Sequence, residues 1–182
     1  VTRVDPLRVY MFEEGLARFA TVKYEVPDGG NLSTRNMHLT NYSVNKTSKD
    51  YVSAEGDAHA GSKRKLTAIM QYLAARGHNT KKLMASINAL VVKTIISIAP
   101  QLAHTYYTAT SRVKAGSYCH HSRCFELLGF DVLLDEDLKP WLMEVNHSPS
   151  FGTDTPMDED IKARLPLPPF PRCRFFQGRY DG

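Results

Sequence analysis

Hydrophobic and polar positions alternate in two rhythms along this chain, and the switch between them marks its elements. Residues 9–12 and 16–21 are apolar-rich runs on either side of Glu13-Glu14-Gly15, and read as two short strands joined by a glycine-bearing turn. Residues 27–34 form a polar loop. The segment 37–46 is too polar at alternating positions for a buried strand and too poor in apolar spacing for a core helix, so it is expected to be a loop that carries a site. Residues 49–62 are polar and contain glycine, as flexible loops do. Leu66, Ile69, Met70 and Leu73 then mark one face of a helix expected to end near Gly77. Leu83, Ile87, Leu90, Val91, Thr94, Ile95 and Ile98 mark a longer helix that either ends near Pro100 or is kinked there and continues through Leu102 and Tyr106. Both stripes read as core packing. Residues 124–135 and 140–146 are apolar strands around a polar turn, an antiparallel hairpin. A polar loop and a short helical piece near 157–165 follow, and the proline-rich tail 166–182 reads as disordered or foreign to the fold.

Composition narrows the class. With 182 residues, 42% hydrophobic and 23% charged, the chain is within the range of one soluble globular domain, without having to be a whole protein. Its start, Val1-Thr2-Arg3-Val4, has neither the charged nor the apolar region of a leader and reads as a cut within an element. No apolar run is expected to reach the roughly 20 residues of a membrane span, so no membrane partner is expected. Cys119, Cys124 and Cys173 are odd in number and form no CxxC pair, which argues against a disulfide framework or a zinc site and for a reducing cytosol. The formal charge of +4 favours an acidic partner. The basic groups cluster at Lys63-Arg64-Lys65, at Lys81-Lys82 and within 112–123; such runs are most often solvated faces, and no RNA-binding aromatic signature interleaves them. Nucleic acid is therefore not the expected partner.

Candidate chemistry concentrates in the hairpin. Asp131 is the only acid within an apolar strand segment, and Glu144 and Asn146, two residues apart, share a face of the return strand. All three project to one side if the register pairs Asp131 with Glu144 or Asn146 rather than with Val145; a one-residue slip separates them. Hard oxygen donors of this kind suit Mg2+ held together with nucleotide phosphates, whereas zinc would call for His or Cys. The competing reading is that these are solvent-face residues of an alternating hairpin, followed by an ordinary turn at 146–149. His120-His121 beside Cys119 reads as loop, not as a catalytic pair.

The stretch Phe125-Glu126-Leu127-Leu128-Gly129-Phe130-Asp131, with Lys139-Pro140-Trp141-Leu142-Met143-Glu144-Val145-Asn146-His147-Ser148-Pro149-Ser150-Phe151, resembles the signature of tubulin–tyrosine-ligase-like enzymes. The segment 37–46 resembles a second motif of that family, and Asp5-Pro6-Leu7-Arg8-Val9-Tyr10 with Glu14-Gly15-Leu16-Ala17-Arg18-Phe19-Ala20 a third. The resemblance runs from Val1 to about Arg164. It implies an α+β fold, the C-terminal part of an ATP-grasp domain over 1–165, with an antiparallel sheet and packed helices. It also implies ATP and Mg2+ as cofactors, with Asp131, Glu144 and Asn146 as metal ligands and Glu144 and Arg18 as catalytic residues. His38, Thr40 and Asn41 would contact the nucleotide; Arg18 would stand beside the γ-phosphate and the incoming amino acid. Tyr42, Ser43, Lys63, His147 and Lys162 would neighbour the substrate, with Lys63 and Lys65 both open for the lysine.

The implied reaction uses ATP to form an acylphosphate on an acceptor γ-carboxyl, which the amino group of free L-glutamate then attacks. Asn146 to Phe151 and the Gly61-Ser62-Lys63-Arg64-Lys65-Leu66 run resemble the glutamylating branch, and His147 its chain-elongating members. The partners would be tubulin C-terminal tails on microtubules. The setting would be cytoplasm and cytoskeleton, cilium included, and the chain a monomer. A glycine- or tyrosine-adding ligase and a non-catalytic tubulin-binding fragment are the alternatives. The family's N-terminal and central domains would precede Val1, so the isolated chain is expected to be inactive as a ligase.

Overall fold

A computed structural model of the chain describes residues 1, 3–4, 6–52, 61–110 and 125–165. The basic residues within 112–123, the cysteines and the tail 166–182 lie outside the described residues. The fold is α+β: helices with short antiparallel strands. Among the described residues the strands pair antiparallel, as expected, in three two-stranded sheets. The chain divides into two compact units, Val1–Glu13 with Asn79–Phe151 and Glu14–His78 with Gly152–Leu165.

The first unit holds β1 (Arg3–Val4), which pairs with β2 (Leu7–Arg8). The expected strand at 9–12 is absent, because the chain has already turned back on itself at residues 3–8. Two elements numbered below in chain order complete this unit: the long helix α4 (Thr80–Thr110) and the hairpin of β5 (Gly129–Leu134) and β6 (Pro140–Asn146). Asn79 starts α4, its side chain accepting the Lys82 backbone N–H at 3.0 Å. Leu83, Val91 and Ile95 form the buried stripe, as the 3.6 spacing requires, and α4 packs against β6 and β1. The helix runs through Pro100 and does not end there. Ile98, assigned to the core stripe by its spacing, is 37% exposed. Thr80–Ala109 is long and apolar enough by length and composition to cross a membrane, contrary to expectation. Isolated polar residues such as Asn88, Thr94 and Ser97 break its apolar runs, which is why no continuous stretch stands out.

The second unit contains β3 (Leu16–Arg18), α1 (Arg35–His38), α2 (Tyr42–Asn45), β4 (Lys63–Lys65), α3 (Leu66–Ala75) and α5 (Pro156–Lys162). β3 pairs with β4 in the register Leu16↔Lys65, Ala17↔Arg64, Arg18↔Lys63, so the hairpin expected between 9–12 and 16–21 does not form. Glu14 explains the change of partner. Its carboxylate accepts from the backbone N–H of Gly15 at 3.0 Å, and from the N–H and hydroxyl of Thr67 at 3.1 and 2.8 Å. The segment before β3 is thereby tied to the first turn of α3, which β4 leads into directly. α3 ends as its glycine predicts: Gly77 sits at φ 85°, and the His78 N–H donates to the Leu73 carbonyl at 3.1 Å. α5 is capped by Thr155, followed by Pro156 in the first turn.

Candidate functional site

The hairpin in the first unit realises the favourable register. Asp131 pairs with Glu144, and Gly129 with Asn146; paired residues share a face, so Asp131, Glu144 and Asn146 project to the same side. The Asn146 amide donates to Asp131 Oδ2 at 3.4 Å. One feature was not legible in the pattern. The register shifts between Asp131 and Val132, Val132 pairs with Leu142, and Met143 is the extra residue of a bulge. In an unbroken strand, Leu142 would fall on the face of Glu144. The bulge returns it to the other face, where Phe130, Val132, Leu134, Pro140, Leu142 and Val145 then form an unbroken apolar set. The strand proposed for 124–135 begins only at Gly129, and Asp135 lies in the turn.

The ends of the hairpin are fixed by side chains. Asp135 accepts from the Trp141 indole N–H and the Lys139 backbone N–H, both at 2.8 Å, and from the Asp137 N–H at 3.1 Å. The Trp141 bond, then the Lys139 backbone bond, hold its carboxyl below the usual aspartate range. Lys139 Nζ lies 3.8 Å from the Trp141 ring centroid. At the other end, a Cβ on Gly129 would come within 3.2 Å of Pro149 Cβ and 3.7 Å of Asn146 Cβ, so a larger residue there would crowd the loop after Asn146. His147 is exposed and its Nδ1 is 2.8 Å from the Ser148 hydroxyl.

The donor set fits Mg2+: two carboxylates and an amide on one strand-pair face, all oxygen ligands. Among the described residues, no group of three or more His, Cys, Asp or Glu side chains is placed to hold a metal ion, so the hairpin set counts two carboxylates and needs the Asn146 amide as its third donor.

The second unit holds the other expected residues in two groups. His38, Thr40, Asn41, Tyr42 and Ser43 lie on two single-turn helices and the extended link between them. His38 Nε2 donates to the Asn31 carbonyl at 3.1 Å, which leaves Nδ1 as the ring acceptor. Asn41 precedes α2 without a side-chain capping bond. Tyr42 is exposed and meets Tyr51 edge to face at 6.0 Å. What holds this loop is Asn45, a residue that sequence reasoning passed over. At 1% exposure, it donates to the Leu39 and Asn41 carbonyls at 2.7 and 3.1 Å and accepts from the Thr21 hydroxyl at 2.9 Å. The backbone on both sides of Thr40 is therefore pinned, which bare spacing could not reveal.

The other group centres on β4. Arg18 stands directly opposite Lys63 in the β3–β4 ladder. Lys63 Nζ lies 2.5 Å from Asp158 Oδ1, and Lys65 pairs with Asp160. Lys162 donates to the Gly152 carbonyl. Asp158 is 2% exposed. Burial pushes its carboxyl up, but hydrogen bonds from Lys63 and Thr155 and the charges of Lys63 and Lys162 outweigh that and hold it below the usual range. Asp158 was also missed, although the Thr155-x-x-Asp158 spacing is a helix-start signal. The predicted site residues thus form a hairpin set, Asp131, Glu144, Asn146 and His147, and a second-unit set.

Comparison with known proteins gives one family match: residues 1–166 fit the model of the tubulin-tyrosine ligase family. The chain is 48% identical over 165 residues to mouse tubulin polyglutamylase TTLL6, covering 91% of this chain and 19% of the relative. It is 49% identical over 169 residues to mouse tubulin polyglutamylase TTLL5, covering 91% of this chain and 12% of the relative. A probable beta-tubulin polyglutamylase of Tetrahymena thermophila is 45% identical over 160 residues, covering 87% of this chain and 13% of the relative. The chain spans a fifth or less of the length of these curated relatives.

Proposed function

Given that this chain belongs to the tubulin-tyrosine ligase family, we propose that it is the C-terminal part of an ATP-grasp ligase that adds glutamate to glutamate side chains of tubulin tails. The observation that carries the reading is the hairpin register, which sets Asp131 opposite Glu144 with Asn146 on the same face. Two carboxylates and an amide there form a ligand set for Mg2+, which when bound neutralises charge on the phosphates of ATP. In the reaction, the γ-phosphoryl group passes to the acceptor γ-carboxylate. The glutamate amine then attacks the activated carbon, the C–O bond to phosphate breaks, and the amine proton is lost to solvent. Transfer of this kind needs positioning and charge compensation more than covalent help from the protein.

The chain's own residues supply both. Thr40 and Asn41, on backbone held by Asn45, and the Nδ1 atom of His38 contact the nucleotide. Arg18 carries a fixed positive charge to the γ-phosphate and, with Lys63, to the carboxylates of the amino acid. Tyr42, Ser43 and Lys162 border that substrate. His147, exposed just past the metal ligands, borders the acceptor and favours chain elongation. Microtubules are the partner, the cytoskeleton the setting, and the working unit a monomer.

The test is ATP-dependent incorporation of labelled glutamate, glycine or tyrosine into microtubules by the full-length protein, with Glu144→Gln beside it. Glutamate incorporation that falls at least about 100-fold in the variant is the expected result. The same variant should lose the rise in melting temperature that Mg-ATP confers on the wild type. Incorporation of glycine or tyrosine instead moves the chain to another branch. Microtubule binding without any incorporation, insensitive to Glu144→Gln, makes it a scaffold.

A further inference from the structure

We propose that Asp158 is a positioning residue that holds the Lys63 ammonium beside Arg18, so that the two cations form one binding pair for the carboxylates of the incoming amino acid. The inference rests on the substrate reading of Arg18 and Lys63 given above. It starts from the ladder: Arg18 and Lys63 are directly opposed, which sets two cations side by side. Lys63 has a buried counter-charge. Asp158, at 2% exposure, places Oδ1 at 2.5 Å from Lys63 Nζ.

The carboxylate is itself fixed. Its Oδ2 accepts the Thr155 hydroxyl at 2.8 Å, while Thr155 Oγ1 accepts the Asp158 backbone N–H at 3.2 Å. Ile161, 4% exposed and three residues on, roots the same face of α5. Lys63 is thus held by a group that has little freedom to move. An ammonium has three donors, so the bond to Asp158 leaves two to serve an anion. The neighbouring pair lacks every one of these properties. Lys65 and Asp160 have side chains 26% and 48% exposed, and Asp160 is shared with Arg164 at 3.1 Å. That is a surface ion pair, of small effect. Of the two lysines left open by the sequence, the geometry selects Lys63.

The experiment uses Asp158→Asn in the full-length chain, with Asp160→Asn as the control. Expected for Asp158→Asn is a rise of about tenfold in KM for glutamate, with KM for ATP little changed and a modest fall in melting temperature at neutral pH. The control should leave both constants as they are. An unchanged KM for glutamate overturns the proposal, as does a parallel loss in both constants and in folded fraction, which would mark a purely structural residue. A second measurement reads the pairing without any turnover: limited acetylation with acetic anhydride, followed by peptide mass spectrometry. Lys63 should react more slowly than Lys65 in the wild type, and about tenfold faster in Asp158→Asn. If the wild type ligates no amino acid, the reading under Proposed function fails; equal Lys63 rates in wild type and variant then overturn the role of Asp158 separately.

Discussion

At the scale of single residues, the chemistry of this protein depends on a few side chains whose surroundings set their charge and aim. Asp158 is the clearest case. Taking a carboxylate out of water disfavours its charged form, yet Lys63, Thr155 and Lys162 more than compensate, so the group stays ionised below the usual aspartate range. Tyr51 records the same charge from the other side: burial raises its hydroxyl, and the charges of Tyr42 and Asp158 raise it further. Because the folded-state pKa of Asp158 is depressed, its stabilisation is fully present above the ordinary aspartate value of about 3.9 and is lost as pH falls through the folded value. Melting temperature measured from pH 7 down to pH 3 should therefore fall more steeply in the wild type than in Asp158→Asn, whose amide does not titrate. Equal slopes would remove Asp158 from the acid response. Which acid would matter was hard to see in the sequence. Asp158 stands in a run of acids with Glu159 and Asp160, and only burial separates it from them.

At the scale of elements, the hairpin of β5 and β6 carries the argument. Its apolar and polar faces are each continuous only because Met143 is left over between the two registers. A strand that kept Met143 without a bulge could match Asp131 to Glu144, or Val132 to Leu142, but not both. Deleting Met143 sets Leu142 beside Glu144, so a regular ladder can keep both pairings and both faces. The expected result is that Mg-ATP-dependent stabilisation is retained and the melting temperature changes little, since Met143 is 65% exposed and packs little. Thermal melts with and without Mg-ATP check this, and loss of the stabilisation would show that the bulge itself, and not the pairing, shapes the face. The existence of the hairpin and the shared face of Glu144 and Asn146 were legible, because alternation within one strand is local. The bulge was not, because a single extra residue changes pairing without changing the types of residue present. α3 and the first turns of α4 were legible for a similar reason: their apolar spacing, Gly77 and Asn79 all act within one turn.

At the scale of the whole molecule, the chain matches its family over residues 1–166 but covers a fifth or less of the relatives compared here. Excluding water from a phosphoryl transfer calls for a closed site. Under the proposed function, the segment 1–165 in isolation should bind Mg-ATP weakly and ligate nothing, whereas the full-length protein should incorporate glutamate. Activity of the isolated segment would show that the closed site is already complete within it. What the sequence by itself determined is the content of each element and the residue types at the hairpin, since periods of 2 and 3.6, caps and turn glycines are short-range properties of adjacent residues. Only the tertiary structure decided that Leu16 pairs with Lys65 and not with the nearer apolar run, that Asp131 meets Glu144 across a bulge, and that Lys63 and not Lys65 lies on a buried carboxylate. The first and the last of those choices join segments far apart in the chain, and the bulge shifts a pairing without changing the residue types present. Their energies come from burial and from charge neutralised at a distance in sequence, and no local pattern records them.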